Sequence, residues 1–261
     1  MAVTTLRVAA RPREFVAVHG PDAARFLQAM LTNDVEALAP GDACSALLLT
    51  PKARVVAPMI VLRRADDDFL LLTEPGLGER LRSALLRGRF AMKCEIVLEN
   101  HVSVVVLGGS VGIPTRDYGM PAVELLDADL APTVGEDELE LLRIRAGTPL
   151  WGREIDDRVL PAEAGLDVRA IDFEKGCYPG QEPVARQHYR GRVNRTLRVL
   201  EIEGHELPER DAEITYEDKG VGRVTSAARD AGRVVVLGYV RAEVPADALL
   251  RVGEWAARQL D

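Results

Sequence analysis

A chain of 261 residues that is 47% hydrophobic can bury a large core, which excludes a disordered chain. Its formal net charge of -8 and pI near 5.2 exclude wholesale coating of nucleic acid or of an anionic membrane, so any polyanion site must be local. Only three cysteines occur, Cys44, Cys94 and Cys177, too widely spaced for a disulfide framework or a Cys-x-x-Cys metal site, and no metal site is expected. The N-terminal stretch lacks a continuous apolar region, and no run approaches the roughly 18 apolar residues of a membrane span, so the reading is a cytoplasmic protein with no membrane contact.

In chain order, Glu14–His19 alternates like a strand, and Gly20-Pro21-Asp22 then supplies a turn and a helix cap. Phe26, Leu27, Met30 and Leu31 share one face of a helix expected over 22–31, which Thr32-Asn33-Asp34 ends. Apolar runs at 45–50 and 55–62 flank Pro51-Lys52-Ala53-Arg54 as a strand pair, and a third strand is expected at 69–73. Leu77, Leu81 and Leu85 mark a second helix, followed by strands at 95–98 and 102–107. The glycines at 108–112 lack both the P-loop ending and the full Gly-x-Gly-x-x-Gly spacing, and read as a turn. A helix is expected over 136–146, with Gly147 as its stop. The order strand, helix, three strands, helix, strand defines an α+β class. From Arg195 short strands at 197–202, 213–216, 220–226 and 234–240 alternate with polar turns, as in a small β-barrel. The expected division is therefore 1–194 and 195–261.

The segment 172–198 concentrates the chemistry. Cys177 sits between Gly176 and Tyr178-Pro179-Gly180, a backbone that cannot continue a helix and lets other groups approach. Between Lys175 and Arg198 stand six cations, the others being Arg186, Arg190, Arg192 and Arg195, against the single anion Glu182. Nearby positive charge favours a thiolate and attracts a carboxylate or phosphate. Cys44 and Cys94, at strand edges among apolar residues, read as core. His188 is the only histidine of this segment, and no third group at recognisable spacing accompanies it, which argues against a Cys/His hydrolase dyad. His19, His101 and His205 lack a partner at metal-ligand spacing.

The octapeptide Lys175-Gly176-Cys177-Tyr178-Pro179-Gly180-Gln181-Glu182 resembles the signature of the YgfZ family. The likeness extends through Phe26-Leu27-Gln28 with Leu31-Thr32-Asn33-Asp34, Arg143-Ile144 with Gly147-x-Pro149 and Gly152, Pro161-x-Glu163, and Gly222-x-Val224-Thr225-Ser226. The last stretch also resembles the barrel of the glycine cleavage T-protein. This resemblance implies a T-protein-like fold of ferredoxin-like α+β lobes around a channel that binds tetrahydrofolate, closed by a C-terminal barrel. It also implies a role in assembling or repairing iron-sulfur clusters of client enzymes, tRNA-modifying ones included, with a cluster held only transiently. The functional thiol would be Cys177 with Lys175 beside it. Asn33, Asp34, Tyr178, Gln181, Glu182 and Arg186 would bind the folate or another anionic group. A lone thiolate cannot hold a cluster, so the cluster would be shared with a client or assembly protein.

Two rival functions belong beside this. A folate-dependent aminomethyl transferase needs the aspartates of the T-protein loop, which falls here on 52–58, where Ala57 and Pro58 replace them. The T-protein's pterin-binding glutamate likewise aligns with Arg145, and Ala53 stands where the YgfZ pattern favours glycine. An RNA-binding module would instead use the arginine-rich segment for a tRNA contact.

Overall fold

The computed structural model describes residues 6–191 and 193–260. Five antiparallel strands form the first sheet: β2 (Glu14–His19), β3 (Ala43–Leu49), β4 (Val55–Ala65), β5 (Asp68–Thr73) and β6 (Glu95–Glu99), in the order β3-β4-β5-β2-β6. Strand alternation divides its side chains cleanly. Val16, Val18, Val61, Phe69 and Leu71 point to the face covered by α1 (Ala23–Met30) and α2 (Gly78–Gly88), whose Phe26, Leu27, Leu81 and Leu85 fill that core. Phe15, Ala17, Ile60, Leu70 and Leu72 point the other way.

That second face meets a four-stranded sheet, β1-β7-β9-β8, formed by β1 (Arg7–Ala10), β7 (Ser103–Leu107), β8 (Ile113–Thr115) and β9 (Ala122–Leu126). Ile113 and Leu126 complete the core between the sheets. Further along the same face, Leu47, Leu49 and Val55 pack against Ile155, Leu166, Tyr178 and Val184. This third layer comprises a 3-10 turn (Pro161–Glu163), the one-turn helix α4 (Asp167–Ala170) and α5 (Gln181–Arg190). The class is α+β, as the element order implies.

The C-terminal strands close a six-stranded barrel, β10-β13-β12-β11-β14-β15, from β10 (Arg195–Ile202), β11 (Glu213–Tyr216), β12 (Lys219–Asp230), β13 (Arg233–Arg241), β14 (Leu250–Val252) and β15 (Trp255–Gln259). Closure removes the unpaired edges an open sheet would carry. Helix α3 (Glu136–Arg145) joins barrel to lobes: Ile144 packs on Ala228, Val235 and Leu237. Arg143 reaches across to Glu154 at 3.0 Å and to Ser226 of β12 at 2.9 Å.

The strands expected at 14–19, 69–73 and 95–98, both early helices and the barrel strands stand where the periodicity places them. Sequence patterning missed β1, β8, β9, β14, β15, α4 and α5. Among the described residues no helix is long and apolar enough to cross a membrane.

Candidate functional site

Thr32-Asn33-Asp34 follows α1, and its polar groups are absorbed by local structure. Thr32 donates its hydroxyl to the Ala170 carbonyl at 2.6 Å and accepts the Leu47 N–H at 2.8 Å. Asn33 donates from Nδ2 to the Ser45 carbonyl at 2.7 Å, and its Oδ1 takes the Asp34 N–H. Asp34 accepts from Gln28 at 3.0 Å and from the Ala37 N–H. Each buried donor and acceptor finds a partner, as buried polar groups must.

Into this turn runs Lys175. Its ammonium donates to three carbonyls, those of Gln28 (2.7 Å), Leu31 (2.6 Å) and Asn33 (2.8 Å), at the C-terminal end of α1 where helix carbonyls lack intrahelical partners. Burial pulls the Lys175 amine down to about 8, with Asp34 and Asp172 opposing that shift. Lys175 also lies 5.5 Å from the centre of the buried Tyr178 ring, whose hydroxyl burial pushes up to about 12. Asp172 pins the approach, accepting the Glu174 and Lys175 N–H groups while its own N–H bonds the Thr32 carbonyl.

Between these anchors the thiol of Cys177 is exposed, with Gly176 beside it. The loop then turns at Gly180 (φ +84°), where a Cβ would sit 2.5 Å from the Thr50 carbonyl oxygen, so only glycine fits against the 50–53 turn. Gln181 opens α5, its N–H bonding the Tyr178 carbonyl; Glu182 lies in the first turn and Arg186 faces solvent. Within the helix Pro183 falls in the first turn, where no N–H is required. His188 stacks on Phe173 at 3.9 Å between ring centres.

Three of the six cations of this segment are engaged away from the sulfur. Lys175 faces carbonyls, Arg195 lies over the Tyr239 ring and bonds Glu163, and Arg198 bonds the Val244 carbonyl at 2.6 Å. Linear clustering misled here because β10 carries its arginines into the barrel. Arg192 lies outside the described residues.

A cavity of about 390 Å³ lies where the two sheets, α3 and the third layer meet. Leu47, Pro58, Ile60, Tyr118 and Leu139 give it apolar walls. Its polar wall contains Arg11, Arg13 and Glu74, in which Glu74 receives Arg11 at 2.5 Å and Arg13 at 2.7 Å. Arg13 also grips the fully buried Glu124 at 2.5 Å. Burial works to raise the Glu74 and Glu124 carboxyls, and the two arginines override it, holding both below the usual carboxylate range. Helix α3 presents Glu136, Leu139, Glu140 and Arg143 to the cavity, the i, i+3, i+4, i+7 stripe of one helix face. Arg145 falls off that stripe and pairs with Asp230 of β12. Arg169 and Asp117 complete the charged lining.

Cys177, Lys175, Asn33, Asp34, Tyr178, Gln181, Glu182 and Arg186 are all absent from this lining. Lys175, Asn33, Asp34 and Tyr178 gather into the brace around the Cys177 loop, whereas Glu182 and Arg186 stay on the exposed side of α5. The brace nevertheless touches the cavity wall, since Ser45, Leu47 and Ala170 line the cavity and bond Asn33 or Thr32. Sequence reading missed Arg11, Arg13, Glu74, Tyr118 and Arg169. The α3 stripe around Arg143 was the one local signal. Ala57 is fully buried and Pro58 faces the cavity, so the wall bears no carboxylate at either position. Among the described residues no group of three or more His, Cys, Asp or Glu side chains could hold a metal ion.

Residues 13–110 match the family model of the GCVT N-terminal domain. The aminomethyltransferase of the glycine cleavage system from Bartonella henselae superposes with a TM-score of 0.78 over 95% of this chain and 82% of that one, at 19% identity. The chain thus has the T-protein-like fold with a closed C-terminal barrel. Within that class it is related to two groups of curated proteins. It is 29% identical to the tRNA-modifying protein YgfZ of Edwardsiella ictaluri, over 93% of this chain and 86% of that protein. It is 28% identical to the iron-sulfur cluster assembly factor IBA57 homolog of Pyricularia oryzae, over 86% and 67%. The YgfZ resemblance noted at the 175–182 octapeptide thus extends over 93% of the chain.

Proposed function

We propose that this chain binds tetrahydrofolate in its central cavity and supports the assembly or repair of iron-sulfur clusters in cytoplasmic client enzymes, with Cys177 as its functional thiol. The observation that carries the reading is the cavity, which joins apolar walls to a mixed lining of carboxylates and guanidinium groups. Its volume falls in the ordinary range for small-molecule sites.

The lining suits a reduced folate chemically. A pteridine is flat and offers a row of N–H donors, for which Leu47, Pro58, Ile60 and Tyr118 supply walls and Glu136 or Asp117 supply acceptors. The glutamate tail is anionic and calls for cations, which Arg169 and Arg11, with its unpartnered buried Nε, provide. Bound there, tetrahydrofolate would supply a carrier for a one-carbon unit. Arg145 does not interfere, because it is turned towards Asp230.

Aminomethyl transfer is the weaker reading. Without a carboxylate at 57 or 58, no side chain there can manage the proton at the folate nitrogen. Cluster chemistry in turn falls to Cys177, whose exposed thiol can meet a client protein directly. The cluster would be cargo, since one thiolate provides one of the four ligands a cluster usually takes. Lys175 then acts by fixing the loop.

Calorimetry with tetrahydrofolate tests the cavity: binding near micromolar, about -8 kcal/mol, is expected, and Arg169→Ala should weaken it. Failure to bind at millimolar folate refutes the folate half. In cells lacking the protein, Cys177→Ala should leave the fold intact and fail to restore iron-sulfur enzyme activity. Full restoration refutes the thiol half.

A further inference from the structure

The barrel carries a second cavity, also about 390 Å³, between the 203–212 connection and the β14–β15 hairpin. Its floor is apolar, built from Ile202, Pro208, Ala212 and Val252, and two large side chains stand partly in water: Leu207 at 44% and Trp255 at 42% exposure. The Trp255 indole packs against Gly204, where a Cβ would come within 2.8 Å of the ring. Four carboxylates, Glu206, Glu209, Asp211 and Glu254, surround this floor. Asp211 is paired with Arg223 at 2.8 Å; the other three have no ion-pair partner among the described residues. Among the described residues Arg210 is the one cation of the lining, and it turns away to donate to the carbonyls of Gly152 and Arg153.

We propose that this groove docks a short basic segment of a partner protein, with a lysine or arginine between apolar side chains. Charge complementarity selects the occupant. The rim is acidic, which repels phosphate backbones and carboxylate-rich chains, and an exposed indole offers its face to an ammonium or guanidinium. Leu207 and the floor accept the flanking apolar groups, the arrangement by which a small interface gains affinity from one aromatic anchor. The site stands apart from the folate cavity and does not depend on it.

The test uses the whole protein and a fluorescein-labelled peptide, Leu-Arg-Leu-Lys-Leu-Arg, followed by anisotropy at about 0.15 M salt, where exposed charges more than about 8 Å apart are screened. The groove should bind this peptide, reject its Leu-Glu-Leu-Glu-Leu-Glu counterpart, and lose about tenfold or more in affinity in Glu206→Gln/Glu209→Gln/Glu254→Gln, which alters only rim side chains. Leu207→Ser should weaken binding while leaving thermal stability unchanged. Equal affinity of the triple variant, or no binding at millimolar peptide, overturns the proposal. So does a concentration-dependent dimer that the triple variant abolishes, because the occupant would then be a second copy of this chain.

Discussion

Replacing Lys175 with methionine separates a clamp from a chemical partner of Cys177. In the structure the ammonium makes three hydrogen bonds of 2.6–2.8 Å to the carbonyls of Gln28, Leu31 and Asn33, and methionine keeps most of the aliphatic stem while removing all three donors. Hydrogen bonds to charged groups contribute about 1.5 kcal/mol or more each, which places the set near 4–5 kcal/mol if they add. They do not add fully. Removing the ammonium also removes its desolvation cost, and water can reach the carbonyls of a partly exposed turn, leaving a loss of about 2–3 kcal/mol. For a chain of this size that corresponds to a fall in Tm of about 5–10 °C by calorimetry or circular dichroism. Lys175→Arg should lie between, since a planar fork cannot direct its donors to three converging carbonyls. Limited proteolysis should cut the 173–180 loop faster in the methionine variant than in the wild type. A methionine variant that melts within about 1 °C of the wild type and resists protease equally would refute the clamp and return Lys175 to a role at the thiol.

Other outcomes follow from the same geometry. Gly180→Ala places a Cβ against the Thr50 carbonyl at a left-handed φ, and should cost about 2–3 kcal/mol in urea unfolding. Arg143→Met strands the buried Glu154, and should cost about 3–5 kcal/mol and loosen the barrel from α3, seen as faster amide exchange in β12 and β13. His101 faces Asp127 at 2.7 Å and Glu99 at 2.9 Å, so both ring nitrogens donate only when it is an imidazolium, and its hydrogen bonds to these two carboxylates raise its pKa above the usual value. A raised folded-state value means that this contribution is complete below about pH 6.5 and lost as pH rises through the folded value. The urea midpoint should therefore fall over that interval, and His101→Gln should flatten the profile.

What could be read from the sequence was local. The strand alternation at Glu14–His19 and the leucines of α2 announce their faces, because a single buried face imposes its period on the residues. Strand β1 gives no such signal: its four residues Arg7–Ala10 acquire meaning only by pairing with the distant β7, where Arg7 meets Leu107 and Ala10 meets Val104. Helix α5 was hidden behind Pro179-Gly180, which read as a break although Gly180 is the cap from which the helix starts. The cavity shows the same limit, as Arg11, Arg13, Glu74, Tyr118 and Arg169 come from four separate segments and no spacing links them. Only the α3 stripe of Glu136, Leu139, Glu140 and Arg143 is a periodic feature. The octapeptide did identify the kinship.

Hydrogen bonds of the motif residues run from the cavity wall to the loop that carries Cys177. Thr32 is bonded at once to Leu47 and Ala170 of the cavity wall, and its carbonyl takes the N–H of Asp172, which holds the backbone of Lys175. Asn33 connects Ser45 of the same wall to Lys175 through its carbonyl. A ligand that shifts the wall at Ser45, Leu47 or Ala170 therefore acts on the anchors of the Cys177 loop through continuous short hydrogen bonds. Such a chain has few arrangements that satisfy every donor and acceptor, because an unpaired buried polar group costs about 1–3 kcal/mol. If the proposed function holds, cavity occupancy and presentation of the thiol should be coupled by that constraint, and Thr32→Val, which keeps the shape and removes both hydroxyl bonds, should uncouple them.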